Sequence, residues 1–223
     1  MQSRQRLPPL AALCVTYPHF CGVGGDAFFI IADACGDVKT VSGIGQAAVG
    51  IDGYQGTIAT RGPRSALTTA ATLDAMGEAF TIGREQLHGT QPWSALLAPA
   101  IGLAYNGYPI SDSEHFCLRF RQPQAAEMPA LFEAMCPDGQ LPEPGLVRRQ
   151  PQLARTLERL AANGWRDMYE GEVAMALARG LDKAGSPLTL SDLAATRARR
   201  EPPLCMPYRG GTLVAHQPPT QGA

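Results

Sequence analysis

Apolar and polar positions follow two different periods along this chain, and the change of period marks its elements. Residues 27–32 (Ala-Phe-Phe-Ile-Ile-Ala) form an unbroken apolar run, the pattern of a strand covered on both faces. Asp33-Ala34-Cys35-Gly36-Asp37 reads as a turn and residues 38–42 as the return strand of a hairpin. Further on the apolar spacing becomes helical. Residues 66–80 carry Leu67, Ala70, Ala71, Leu73, Ala75 and Met76 on one broad face. A second helix runs from Trp93 through Leu96, Leu97, Ile101 and Ala104; Pro99 kinks it or limits its start, and Gly107 closes it.

Ser111-Asp112-Ser113-Glu114 carries capping chemistry for a third helix. Residues 128–145 read as loop, with a turn at 136–140. Residues 150–163 are strongly amphipathic: Leu153, Leu157 and Leu160 face inward, while Arg155, Glu158 and Arg159 face outward. Residues 171–184 predict another helix, and Thr189-Leu190-Ser191-Asp192 opens a short one. A second hairpin follows at 204–208 and 212–216 around Arg209-Gly210-Gly211. Strand pairs at the two ends with helices between them argue for α+β or a layered α/β arrangement, against alternating βαβ units.

Ahead of the first strand, Gly22, Gly24 and Gly25 fall within four residues after Tyr17-Pro18-His19, which predicts a tight, crowded turn. These glycines precede a strand, whereas phosphate loops follow a strand and open a helix, so a nucleotide-binding reading fails. The G-x-S-x-G elbow of serine hydrolases is absent. His19 and Cys21 share a face if extended, the spacing of a thiol nucleophile and base, yet a small Cys packed beside a glycine turn is the commoner case. Arg61 and Arg64 sit in a turn that reads as solvated loop.

The 223 residues are enough for one sizeable core, and a single domain over 1–223 is expected. A net charge of −1 gives no pull toward nucleic acid or an anionic membrane. No apolar stretch is long enough to span a bilayer. The six cysteines make no CxxC pair and no zinc spacing, so neither a metal nor another cofactor is expected. Scattered thiols favour a cytoplasmic protein; the beginning of the chain, which only faintly mimics a signal peptide, leaves a periplasmic one open.

The ordered motifs carry a resemblance. Tyr17-Pro18-His19-x-x-Gly22-x-Gly24-Gly25-Asp26-x-Phe28, Thr60-Arg61-Gly62-Pro63-x-x-Ala66-Leu67-Thr68, residues 92–101, Gly107-Tyr108-Pro109-Ile110-Ser111, Tyr169-Glu170-Gly171 and Pro218-Pro219-x-x-Gly222 stand in an order similar to the large subunit of the γ-glutamyltransferase family. The resemblance covers nearly all of residues 10–223. It implies an α+β, N-terminal-nucleophile hydrolase fold, a four-layer αββα sandwich. It implies a precursor that cuts itself, a Thr hydroxyl that attacks an amide carbonyl, and that residue's own α-amine as base. The nucleophilic Thr is expected C-terminal to Ala223, so no catalytic residue is assigned here, and the chain reads as a large-subunit fragment truncated at both ends. The family's long helix before Tyr17 is expected only as a stub at 11–15.

The family members that act on γ-glutamyl groups hold the α-carboxylate with an Arg after the return strand. Ile44 stands at that place here, and an apolar side chain makes no bidentate carboxylate bond. Arg61, Arg64 and Gly45 are the substrate-binding candidates. The implied activity is γ-glutamyl transfer or glutathione hydrolysis, with hydrolysis of a small amide such as oxamate as the alternative. A non-catalytic remnant or structural partner of a separate small-subunit chain is the reading from another class. The expected partners are the small-subunit region of the same precursor and a small amide substrate, not nucleic acid or a membrane; a homo-oligomer stays open. Without the small subunit, the terminal strands are expected to expose sheet edges and apolar faces.

Overall fold

The computed structural model describes residues 7–53 and 57–220. Helix α1 (Leu7–Thr16) opens the described chain. Pro8 and Pro9 fall in its first turn, where a missing N–H leaves no intrahelical bond unmade. The expected stub is thus ten residues long, and its Ala11 and Val15 are buried.

Strands β1 (Ala27–Ala32) and β2 (Val38–Gly43) pair antiparallel, with Ala27 opposite Gly43 and Ala32 opposite Val38. Asp33 shapes their turn: its Oδ1 accepts the N–H groups of Cys35 and Asp37, and Gly36 takes a positive φ of 87°. β1 is not covered on both faces. Phe28 and Ile30 are 43% and 50% exposed on one face, while Phe29 and Ile31 pack inward on the other.

Helix α2 (Thr72–Glu85) starts six residues later than the spacing predicts. Residues 67–69 run extended against 46–48, with the Thr69 N–H on the Gln46 carbonyl at 2.8 Å and the Ala48 N–H on the Leu67 carbonyl at 2.9 Å. This tertiary pairing overrides the helical spacing of Leu67, Ala70 and Ala71. α3 (Trp93–Asn106) keeps Pro99 inside the helix. β3 (Tyr108–Pro109) follows, then α4 (Asp112–Arg121), whose Ser111 cap accepts the Glu114 N–H at 3.1 Å.

The stretch read as loop contains a short helix, α5 (Pro129–Met135), with its proline at the first position. β4 (Val147–Arg148) pairs with β3. Helices α6 (Pro151–Asn163), α7 (Asp167–Glu170), α8 (Glu172–Lys183) and α9 (Leu190–Ala195) complete the helical part. Thr189 and Asp192 form the capping box of α9. β5 (Arg199–Glu201) adds to the free edge of β2, and β6 (Leu204–Tyr208) with β7 (Gly211–Ala215) makes the last hairpin.

One large core joins α1, α2, α3, α6 and α7. Phe80, Trp93 and Trp165 meet edge to face within it, at centroid separations from 5.2 to 6.1 Å. The Trp93 indole N–H reaches the Leu160 carbonyl at 2.8 Å, so its one polar atom is satisfied. The Tyr169 hydroxyl accepts the Asp74 N–H and donates to the Ala70 carbonyl. Asp74 is buried and ties the helices to the sheet: one carboxylate oxygen takes Arg166 at 2.7 Å, the other the Ala198 N–H just before β5, also at 2.7 Å.

Candidate functional site

The chain leaves β2 through an elbow of tightly constrained backbone at residues 43–46. Gly43 ends the strand with no room for a side chain: a Cβ there would lie 2.5 Å from the Ala75 Cβ and 2.9 Å from two carbonyl oxygens. Gly45 is tighter, since a Cβ would stand 1.6 Å from the Thr69 carbonyl oxygen. The Gly45 N–H donates to Asp26 Oδ1 at 2.9 Å, which ties the elbow to the start of β1. Gln46 completes the clamp. Its N–H donates to Thr69 Oγ1 at 3.0 Å, its amide nitrogen to the Ile44 carbonyl at 2.6 Å, and its amide oxygen accepts the Arg197 N–H at 3.2 Å.

The crowding expected at Gly22, Gly24 and Gly25 therefore lies elsewhere. A Cβ at Gly24 meets nothing within 4 Å, and at Gly22 and Gly25 only ordinary contacts. The turn closes by a Gly25 N–H bond to the Gly22 carbonyl, and the Gly25 carbonyl accepts the Thr72 N–H at the start of α2. Sequence reasoning located the right hairpin but placed the close approach on its entry instead of its exit. The signal available was the pair Gly43 and Gly45 on alternate positions of an extended segment.

Of the three residues singled out, Gly45 is in the elbow. Arg61 is half-buried, with one guanidinium nitrogen on the Thr60 carbonyl at 3.0 Å and its buried Nε without a hydrogen-bond partner. Arg64 is exposed on the 3-10 turn Pro63–Ser65. That turn leads directly into the 67–69 stretch that clamps the elbow, and Gly62 packs its backbone against the Glu127 carbonyl. Ile44 is half-buried at the point where the carboxylate-binding cation was sought.

The last hairpin comes back to the same sheet. His216 is buried, its ring edge-on to Phe28 at 5.2 Å, and its Nε2 lies 3.1 Å from the Val41 carbonyl. Its Nδ1 lies 3.3 Å from the Gln217 carbonyl, so both ring nitrogens face acceptors. After it, Thr220 turns the chain by bonds from its hydroxyl to the His216 and Gln217 carbonyls. The described chain thus closes two residues of strand away from the elbow's first glycine. Gly222 of the Pro-Pro-x-x-Gly motif lies outside the described residues.

The His19–Cys21 pairing is not used as a thiol site. The His19 ring packs on Tyr17 at 4.1 Å, and its Nε2 bonds Ser113 Oγ at 3.0 Å. Among the described residues, no group of three or more His, Cys, Asp or Glu side chains is placed to hold a metal ion.

The sequence profile described as Gamma-glutamyltranspeptidase matches residues 9–223. Oxamate amidohydrolase proenzyme of Klebsiella pneumoniae is 39% identical over 216 residues, covering 95% of this chain and 41% of that protein. Glutathione hydrolase-like YwrD proenzyme of Bacillus subtilis is 30% identical, covering 95% of this chain and 40% of its own length. The chain therefore spans about two fifths of these curated relatives. The solved structure of gamma-glutamyltranspeptidase from Pseudomonas nitroreducens, complexed with L-DON, superposes with a TM-score of 0.78 at 27% identity, covering 97% of this chain and 64% of that one.

Proposed function

Because the chain belongs to the gamma-glutamyltranspeptidase family, we propose that it is the large-subunit region of an N-terminal-nucleophile amide hydrolase whose substrate is a small amide of the oxamate type. Its fold is the α+β fold of that family, an N-terminal-nucleophile hydrolase fold. The observation that carries the choice of substrate is the elbow. The resemblance puts Ile44 at the place of the guanidinium that grips a γ-glutamyl α-carboxylate, and the backbone around it is fixed on both sides by Asp26 and Thr69. The elbow's own residues, 43–46, offer no cation in its place. The greater identity to the oxamate amidohydrolase than to the glutathione hydrolase-like relative points the same way.

In this reading a Thr beyond Ala223 becomes N-terminal when the precursor cleaves itself. Its Oγ attacks the amide carbonyl, its α-amine takes the hydroxyl proton, and that proton leaves with ammonia. Water then attacks the resulting ester and frees the acid and the Thr. Arg61 supplies the cation for the small substrate's carboxylate, and its buried, unpartnered Nε supports the role. Arg64, three residues along the same turn, is the second candidate, and Gly45 lets the Thr69 backbone pack close enough to fix the elbow beside them.

The test is made on the protein extended through its downstream coding sequence. Mass spectrometry is expected to find two chains, the second beginning with Thr. Arg61→Ala is expected to raise KM for oxamate at least about tenfold, the loss of one charge-assisted contact, with self-cleavage intact. Ile44→Arg is expected to raise glutathione hydrolysis and lower oxamate turnover. Absence of cleavage, or glutathione hydrolysis unmoved by Ile44→Arg, refutes the reading.

A further inference from the structure

Away from the elbow, α4 and α5 enclose a cavity of about 260 Å3 against the Pro18–Phe20 segment. Most of its wall is apolar: Pro18, Phe20, Leu118, Phe120, Leu131 and Met135. Phe20 and Phe120, 71% and 63% exposed, leave its rim open to solvent. For scale, a dry cavity of about 150 Å3 lined by aliphatic and aromatic side chains accepts benzene.

One end is polar in an unusual way. Glu114 lines the cavity yet is only 1% exposed. Its Oε1 takes Arg148 Nε at 2.7 Å, and Arg148 also donates to the Met135 carbonyl at 2.9 Å, but Glu114 Oε2 has no hydrogen-bond partner. His19 Nδ1, at the same end, has none either. The Tyr108 hydroxyl, whose pKa is raised by burial and by the neighbouring Glu114, and Arg148 Nη2 are likewise buried without a well-formed hydrogen bond. A buried carboxylate oxygen without a donor is costly, and the fold tolerates such a group chiefly where something else supplies the donor.

The charges narrow the class of ligand. Glu114 is already neutralised by Arg148, and Arg121 adds a further positive charge to the wall, so an ammonium head would meet net repulsion. An anion would face Oε2 directly. Burial pushes the His19 pKa below its ordinary value, against the opposing pull of Glu114, so the ring is neutral near pH 7. A neutral hydroxyl matches what is present: it donates to Oε2 and accepts an N–H from His19 Nδ1. The other face of that ring is compatible, since Ser113 then donates to Nε2 and Ser111 to Ser113.

We infer that this cavity is a binding site for a small neutral phenol or alcohol, its apolar body between α4 and α5 and its hydroxyl on Glu114. The probes are p-cresol and toluene, which differ by that hydroxyl, titrated into the full-length protein by calorimetry and followed at methyl-labelled Met128 and Met135. Saturable p-cresol binding with a Kd on the order of 1 mM or tighter is expected, consistent with an eight-atom ligand, and toluene at least about tenfold weaker. Leu131→Trp, which fills the cavity from its half-exposed wall, is expected to abolish binding, and His19→Phe to weaken p-cresol while sparing toluene. Should Leu131→Trp not fold, p-cresol shifts at the Met135 methyl take its place. No saturable binding, equal binding of toluene, binding that survives Leu131→Trp, no shift at Met135, or only ordered water at Glu114 in a crystal soaked with p-cresol overturns the inference.

Discussion

The helical layer and the strand layer of this molecule bury their apolar residues very differently. In the helical layer Leu97, Leu157, Leu160 and Tyr169 are at most 1% exposed, and the Trp93 indole and Tyr169 hydroxyl both reach backbone partners. In the strand layer Phe28, Ile30, Met206 and Leu213 are 43% to 56% exposed on short strands. The first region closes its core with its own residues. The second presents an apolar face of the kind another layer covers, which fits the αββα arrangement of its family. The difference lies in what fixes each region: the helices are held by a closed core, and the elbow at the sheet's end is held by backbone crowding at Gly43 and Gly45 and by Asp26. Asp74 is the joint between them, since it bonds Arg166 on one side and the backbone before β5 on the other.

Substitutions at matched positions test this division most sharply. Leu97→Ala is expected to lower stability in urea unfolding by about 2–5 kcal/mol. Ile30→Ala, on the half-exposed face, is expected to cost less than about 1 kcal/mol in this chain and, on the proposed reading, more once the downstream region is present to cover it. Equal costs in both forms would break the comparison.

A smaller effect is expected in the elbow. Gly45→Ala forces a Cβ onto the Thr69 carbonyl and is expected to cost about 1–3 kcal/mol and most of the activity. Gly24→Ala, with open space around it, is expected to cost about 0.5 kcal/mol or less. Melting curves of the two variants decide whether the exit or the entry of the hairpin is the constrained point.

The smallest perturbation is chemical labelling. Burial pushes the Cys14 thiol up to about 11, with Cys21 adding to the shift, whereas Cys35 and Cys205 are exposed. At pH 8, iodoacetamide is expected to modify Cys35 and Cys205 within minutes and leave Cys14 untouched, because only the thiolate reacts. Cys14 labelled as fast as Cys205, read by peptide mass, would mean that the layer around α1 opens readily.

The legible part of the fold was the part in which local pattern and tertiary packing agree. The helices built on Leu96 and Leu97 and on Leu157 and Leu160 repeat at helical spacing and bury those same residues, whereas the helix read on Val173, Ala176, Leu177 and Leu181 forms but fully buries only Ala174. Both hairpins announce themselves by their turns. The helix predicted over 66–80 failed in its first six residues because Thr69 and Leu67 pair with a segment twenty residues away, which no local period records. α5 was missed because seven residues are too short for a period to declare itself. The site was legible only in part. Gly45 and Ile44 stood out beside the hairpin, but the Glu114 cavity is assembled by contacts such as His19 with Ser113, 94 residues apart, and Glu114 with Arg148, 34 residues apart, which no local pattern records.

The central claim is that an elbow with Ile44 in place of a cation selects a small amide over a γ-glutamyl substrate. The most direct measurement is kcat/KM of the self-cleaved, full-length protein for ammonia release from oxamate beside glutamate release from glutathione. A ratio favouring oxamate by at least about a hundredfold is expected, the worth of a lost bidentate carboxylate bond. A ratio favouring glutathione would contradict the account and show that the γ-glutamyl carboxylate is held without Ile44's position.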